Sequence, residues 1–208
     1  MARSLGVTQK TAWFMDHRLR LAMRTESFNA PLSGEVEADE TFIGGKRANK
    51  HSNRKGSPSL RGPRGKAIVM GMLERDGEVR ALVVPSTRKR HLQAVVRANV
   101  APGAALYTDA SYSYQGLEDD YGHGFVDHAV QYVNGRISTN GMENFWSSLK
   151  RGLTGIYHSV EAEHLDRYVD EFSYRFNTWK MSDGGRFVAS VPRIAGKRLM
   201  YAELIAKG

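Results

Sequence analysis

The sequence predicts a mixed α/β sheet covered by helices, and three observations carry that expectation. Two apolar runs, residues 67–73 and 79–84, flank Arg75-Asp76-Gly77-Glu78, whose Asp-Gly centre suits a tight antiparallel hairpin. Two further strand-like segments, 35–43 and 104–108, are separated from their neighbours by stretches of helical periodicity, which is how strands become joined through crossovers. No internal repeat competes with a single sheet. The expected order is strand, two-stranded hairpin, helix, strand, short helix, strand, helix, helix.

The helix-rich start spans residues 1–24. Thr8 is placed to cap a helix, with Ala12, Trp13, Met15, Leu19 and Ala22 as its apolar side and Lys10, His17, Arg18, Arg20 and Arg24 as its basic side. Leu5-Gly6-Val7-Thr8-Gln9-Lys10-Thr11-Ala12 is similar to the turn and second helix of a helix-turn-helix, although only four residues precede it. A connection follows at 25–34. Residues 35–43 alternate, placing Val36, Ala38, Glu40 and Phe42 on one side and Glu37, Asp39, Thr41 and Ile43 on the other. Residues 44–66 form a polar basic loop containing Lys46, Arg47, Lys50, Arg54, Lys55, Arg61, Arg64 and Lys66, suited to phosphates.

After the hairpin, Ser86 or Thr87 is expected to cap a helix reaching about Val100, with Leu92, Val95, Val96 and Val100 buried. A short strand then ends at Asp109, a short helix covers 111–117, and a strand is expected over 125–133. A helix begins near Asn140, where Asn140 as N-cap and Glu143 three residues on make a capping box. A long helix over 160–179 buries Leu165, Tyr168, Val169, Phe172 and Phe176. A tail from 181 ends in an amphipathic helix near 199–205. Phe145, Trp146, Phe176 and Trp179 read as core.

Composition bounds the function. The 208 residues suit one domain with an appendage, and a hydrophobic share of 41% is enough for a core. A net charge of +8 favours a polyanionic partner, nucleic acid ahead of a membrane. The absence of cysteine excludes disulfides and thiolate-bound zinc. No run is apolar enough to span a bilayer and no signal core opens the chain, so a soluble, cytoplasmic protein is expected.

Against that basic background the acids stand out. Three carboxylates fall within Val36-Glu37-Ala38-Asp39-Glu40-Thr41, where mutual repulsion and burial both oppose ionisation unless a cation is near. Asp109 ends a strand that follows a crossover helix, and Glu143 lies in the first turn of a later helix. If the strands are neighbours, these acids converge. Oxygen ligands without cysteine select Mg²⁺ or Mn²⁺, and two such ions about 4 Å apart serve in-line phosphoryl transfer.

Val36-Glu37-Ala38-Asp39-Glu40-Thr41-Phe42-Ile43-Gly44-Gly45-Lys46, Tyr107-Thr108-Asp109-Ala110 and the run from Asn140 to Gly152 closely resemble bacterial insertion-sequence transposases of the DDE type, the ISXO2-like group. Tyr157-His158-Ser159-Val160, His164-Leu165, the run from Arg167 to Phe172 and Arg175-Phe176-Asn177 extend the resemblance over about residues 5–180. It implies a ribonuclease H-like core with two aspartates on adjacent strands and a third ligand on a helix. It also implies metal-dependent cleavage and transfer of DNA strands at element ends, by a homo-oligomer assembled on DNA. Carried over, Asp39 and Asp109 match the aspartates, and Glu143, or Asn140 on the same helix face, matches the third position. Lys150 and Arg151 match a phosphate-holding role, with Lys46 and Arg47 as further DNA contacts. His128, Tyr112 and Tyr114 lie where they could approach the site or DNA. The chain differs from full-length relatives in lacking a zinc ribbon and a complete helix-turn-helix. The expected division is 1–30 as a helix-turn-helix remnant, 31–180 as the core and 181–208 as a helical tail. The rival expectations are a DNA-binding protein without catalysis and a ribonuclease H-like nuclease acting on hybrids.

Overall fold

The computed structural model describes residues 1–24, 30–44, 65–126, 138–157 and 160–206. Its centre is a five-stranded sheet of β1 (Glu35–Ile43), β2 (Ala67–Glu74), β3 (Val79–Val84), β4 (Ala105–Asp109) and β5 (Gly122–Val126), ordered β3-β2-β1-β4-β5. β1–β2 and β2–β3 are antiparallel, whereas β4 runs parallel to β1 and β5 parallel to β4. The hairpin turn forms where the Asp-Gly pair predicts it, with Asp76 at φ 62°.

Among the described residues, seven α-helices accompany the sheet: α1 (Ala2–Leu5), α2 (Gln9–Met23), α3 (Lys89–Asn99), α4 (Asn140–Gly155), α5 (Leu165–Asn177), α6 (Asp183–Ser190) and α7 (Tyr201–Ile205). One face of the sheet is covered by α3 and the segment around Tyr114 and Leu117, which close a core with Val36, Ala38, Met70, Met72 and Leu106. The other is covered by α4 and α5, whose Phe145, Trp146, Leu149, Leu165 and Val169 pack on Val69, Leu73, Val79 and Ala81. Burial of these side chains, about 1.5–3 kcal/mol each, is what holds the helices on the sheet. Asn177 finishes α5 by pairing with the edge strand β3. Its Nδ2 donates to the Val79 carbonyl at 2.9 Å, and its Oδ1 accepts from the Val79 N–H at 2.8 Å. This is the mixed α/β sheet covered by helices that the sequence predicts. No helix among the described residues is long and apolar enough to cross a membrane.

Several local expectations are corrected. In α2, Thr8 does cap the helix, its hydroxyl accepting from the Thr11 N–H at 3.1 Å. The faces differ, however: His17 and Arg20 are buried while Met15 and Leu19 are exposed. The reason is an ion pair across the chain, with Arg20 Nε donating to Glu171 on α5 at 2.8 Å and the guanidinium 4.0 Å from the centre of the Tyr168 ring. α3 begins at Lys89 with Arg88 as its N-cap, because the Ser86 hydroxyl is engaged with His91 Nδ1 at 2.6 Å. β5 starts at Gly122, three residues before the expected strand. Parallel pairing of Gly122 with Ala105 through Val126 with Asp109 overrides the weak strand propensity of Gly122-His123-Gly124. Trp179 is 66% exposed, just beyond the end of α5, and is not core. The basic loop from Gly45 to Arg64, with Lys46 and Arg47, and His128 lie outside the described residues.

Candidate functional site

The acids of β1 meet α4 on one face of the sheet. Glu37 and Asp39 share that face by strand alternation, and both bond to α4. Glu37 Oε2 accepts from the Met142 N–H at 3.0 Å, and Asp39 Oδ2 accepts from Trp146 Nε1 at 2.8 Å. The β1–β4 ladder pairs Glu35 with Ala105 and Glu37 with Tyr107; carried two residues further, the same register sets Asp39 level with Asp109. Asp109 therefore lies at the carboxyl end of β4, and Asp39 lies at the middle of β1, just past the last paired residues of the parallel β1–β4 ladder.

The neighbouring groups decide the electrostatics. Asp39 Oδ1 accepts from the Glu40 backbone N–H at 2.8 Å. Burial raises the Asp39 carboxyl above its usual range; the Trp146 and Glu40 hydrogen bonds oppose that rise, and the charges of Asp109 and Glu143 add to it. Asp109 Oδ1 accepts from the Ser111 N–H at 3.1 Å, a local turn that fixes the carboxylate at the strand end. Glu40, on the opposite face, is raised to about 7 by burial, with Asp109 and Asp39 adding to the rise. Its Oε2 accepts from the Tyr114 hydroxyl at 2.5 Å. Among the described residues no lysine or arginine forms an ion pair with Asp39, Glu40, Asp109 or Glu143.

The first turn of α4 is built differently from the capping box expected of it. Asn140 is its first helical residue and Thr139 its N-cap, with no side-chain cap bond. The amide that a capping side chain would satisfy, that of Met142, is taken by Glu37. Asn140 and Glu143 are both exposed, and among the described residues neither side chain has a hydrogen-bonding partner. The helix approaches closely because of two glycines. A Cβ on Gly71, the β2 partner of Asp39, would stand 2.8 Å from the Trp146 ring. One on Gly141 would stand 2.9 Å from Glu37 Oε2.

The structure thus brings Asp39 and Asp109 together and leaves Glu143 near enough for its charge to act on Asp39. Among the described residues, no three acids or histidines stand together in a group that could hold a metal ion. The chemistry of the pair still fits a hard divalent cation: oxygen ligands only, level with each other and unpaired with any described cation. Lys150 and Arg151 are exposed on α4, with Arg151 Nε bonding its own helix at the Ser147 carbonyl, 3.4 Å away. Tyr112 is 72% exposed, whereas Tyr114 is fully buried on Glu40 and is a core residue.

Three participants escaped the sequence reading: Trp146 as a partner of Asp39, Glu37 as the anchor of α4, and Arg75. Arg75 Nε donates to Glu37 at 3.0 Å, one terminal nitrogen to Glu35 at 3.1 Å, and the other to the Ser138 hydroxyl at 2.9 Å. A signal existed for Trp146. A buried indole N–H needs an acceptor, and this one lies three residues after Glu143.

Fold and site together define a mixed α/β protein with an acid pair at the centre of its sheet. The chain belongs to the family described as the ISXO2-like transposase domain, whose sequence profile it matches over residues 31–177, well over half its length. It is similar, at 31% identity over 101 residues, to an uncharacterized transposase-like protein of Haemophilus influenzae, a match covering 48% of this chain and 81% of that one. Looser structural likeness extends to the crystal structure of the Mos1 strand transfer complex, with 14% identity, 84% of this chain, 70% of that one and a TM-score of 0.29. A pre-cleavage Mos1 transpososome gives 12% identity, 89% and 64% coverage and a TM-score of 0.28.

Proposed function

We propose that this protein cleaves DNA at the ends of an insertion sequence and joins the freed strand to a target, with Asp39, Asp109 and Glu143 holding Mg²⁺ or Mn²⁺, two ions in all. The observation that carries this reading is the pair of Asp39 and Asp109, set level by extension of the β1–β4 register and without a cationic partner among the described residues, in a chain of a transposase family. The bound ions would activate the attacking oxygen and stabilise the leaving one in phosphoryl transfer.

The chain's own residues supply the positioning. Trp146 and the Glu40 N–H fix both oxygens of Asp39, and Ser111 fixes one of Asp109. Glu143, at the positive end of α4 with no competing partner among the described residues, is the third ligand; Asn140, the first residue of the helix, supports it from the same turn. Lys150 and Arg151 hold backbone phosphate from the exposed side of α4, assisted by Lys46 and Arg47. The working chain assembles as a homo-oligomer on DNA, with residues 31–180 as the catalytic unit, 1–30 as a helix-turn-helix remnant and 181–208 as a tail.

The test is Mg²⁺-dependent nicking and strand transfer on duplex DNA carrying element ends, with RNA–DNA hybrid as the control substrate. The expected result is activity on DNA that disappears in Asp39→Asn and Asp109→Asn. Hybrid cleavage would move the protein to the nucleases. A second reading, DNA binding without chemistry, is favoured by the three acids not standing together as a ready-made ligand group; binding with no metal-dependent product in the wild type would establish it.

A further inference from the structure

We infer that Glu37 is a positioning residue: held by Arg75, its carboxylate fixes the first turn of α4 and thereby sets where Glu143 stands relative to Asp39 and Asp109. The inference rests on the reading of those three acids as a divalent-cation site.

Glu37 is 3% exposed, and both of its oxygens are engaged. One accepts from Arg75, the other from the backbone N–H of Met142 in the first turn of α4. A buried carboxylate is tolerated only with such compensation, so Glu37 is not itself available as a ligand. The amide it binds belongs to the residue immediately before Glu143. One turn later the same helix is bound again, through Trp146 to Asp39. Glu143 therefore lies between two points at which β1 grips α4. Each grip has space made for it by a glycine, Gly141 beside Glu37 and Gly71 beside Trp146. Arg75 completes the arrangement. The same guanidinium that holds Glu37 also holds Ser138, two residues before the helix, by its hydroxyl at 2.9 Å and its carbonyl at 3.2 Å. Chain entry into α4 and the amide of its first turn are thus tied to a single ion pair on the sheet.

Chemistry makes Glu37→Gln a sharp probe. A carboxylate accepts from both donors; an amide offers one acceptor and one NH₂, so either Arg75 or the Met142 N–H faces a donor instead of an acceptor. Volume and shape are retained.

Two measurements on the full chain test the claim: hydrogen exchange of the amides in the first turn of α4, and Mn²⁺ affinity by titration calorimetry. In Glu37→Gln, first-turn exchange is expected to rise at least about tenfold and Mn²⁺ binding to weaken about 10- to 100-fold, the usual effect of losing a supporting partner. Glu118→Gln, an exposed carboxylate elsewhere, is expected to change neither. A Glu37→Gln protein that is less stable yet exchanges and binds Mn²⁺ like the wild type would overturn the inference and leave Glu37 a fold-holding residue. If the wild type takes up no Mn²⁺, the cation-site reading fails separately, and unchanged first-turn exchange would then overturn the positioning claim. Should Glu37→Gln fail to fold, Arg75→Lys is read by the same two measurements, since it keeps the charge but loses the fork that reaches Glu37 and Ser138 together.

Discussion

Glu37 and Asp39 are two residues apart on the same face of one strand, both carboxylates and both bonded to α4, yet they sit in opposite electrostatic surroundings. Glu37, with Glu35 beside it, is neutralised by Arg75. Among the described residues Asp39 has only neutral donors, and the charges of Asp109 and Glu143 oppose its own. The first arrangement is how a protein stabilises buried acids; the second costs stability and makes sense where a cation is to be taken up. An acidic strand thus divides into a structural half and a functional half, and the division is set by where a single arginine lies.

The largest expected effect separates the halves by activity. Asp39→Asn or Asp109→Asn should remove metal-dependent strand cleavage by on the order of 10³-fold or more. Asp109→Asn should not lower the thermal stability of the metal-free protein, because it relieves like-charge repulsion and its amide oxygen can still accept from the Ser111 N–H. A comparable fall in melting temperature would mean that the acids are structural after all. Arg75→Met tests the other half: it removes the guanidinium from Glu35 and Glu37 and should cost about 2–4 kcal/mol in denaturant unfolding, less than a fully buried pair because Arg75 is partly exposed. Gly71→Ala comes next. Its methyl group would press on Met142 and Trp146 behind Asp39, and the expected loss is about 1–3 kcal/mol with weakened Mn²⁺ binding.

The pH dependence sharpens the same contrast. The native carboxyl of Glu40 is raised from 4.5 to about 7, so between those values the folded state holds more protons than the unfolded state. The stability tied to that proton is present in full below about pH 4.5 and is lost as the pH climbs through 7. In metal-free protein, Glu40→Gln should flatten this fall, by roughly 1–3 kcal/mol across the interval. An unchanged slope on chemical unfolding at pH 4.5, 6 and 7.5 would show that Glu40 is ionised at no cost.

What was legible in the sequence was what is local. Strand β1 was bounded at both ends by its alternation, the hairpin by Asp-Gly, and Asp109 by the strand it ends. The pairing of Asp39 with Asp109 followed once those strands were made neighbours. Features set by distant partners were not legible. The capping box at Asn140 failed because the helix starts one residue earlier, with Thr139 as its N-cap, and its first-turn Met142 amide is bound by Glu37, 105 residues before it. Arg20 was assigned to the solvent face, since nothing nearby announces Glu171, 151 residues on, as its buried partner. Gly122-His123-Gly124 fell outside the expected strand because glycine weakens strand propensity, and pairing with β4 makes it part of β5.

The central claim, that Asp39 and Asp109 form a cation site, is tested most directly by titrating Mn²⁺ into the wild type and into Asp109→Asn at neutral pH in a calorimeter. The account predicts saturable binding by the wild type and at least about a hundredfold weaker binding by the variant, with both proteins folded. Equal affinity in the two, or no uptake by the wild type, would contradict it.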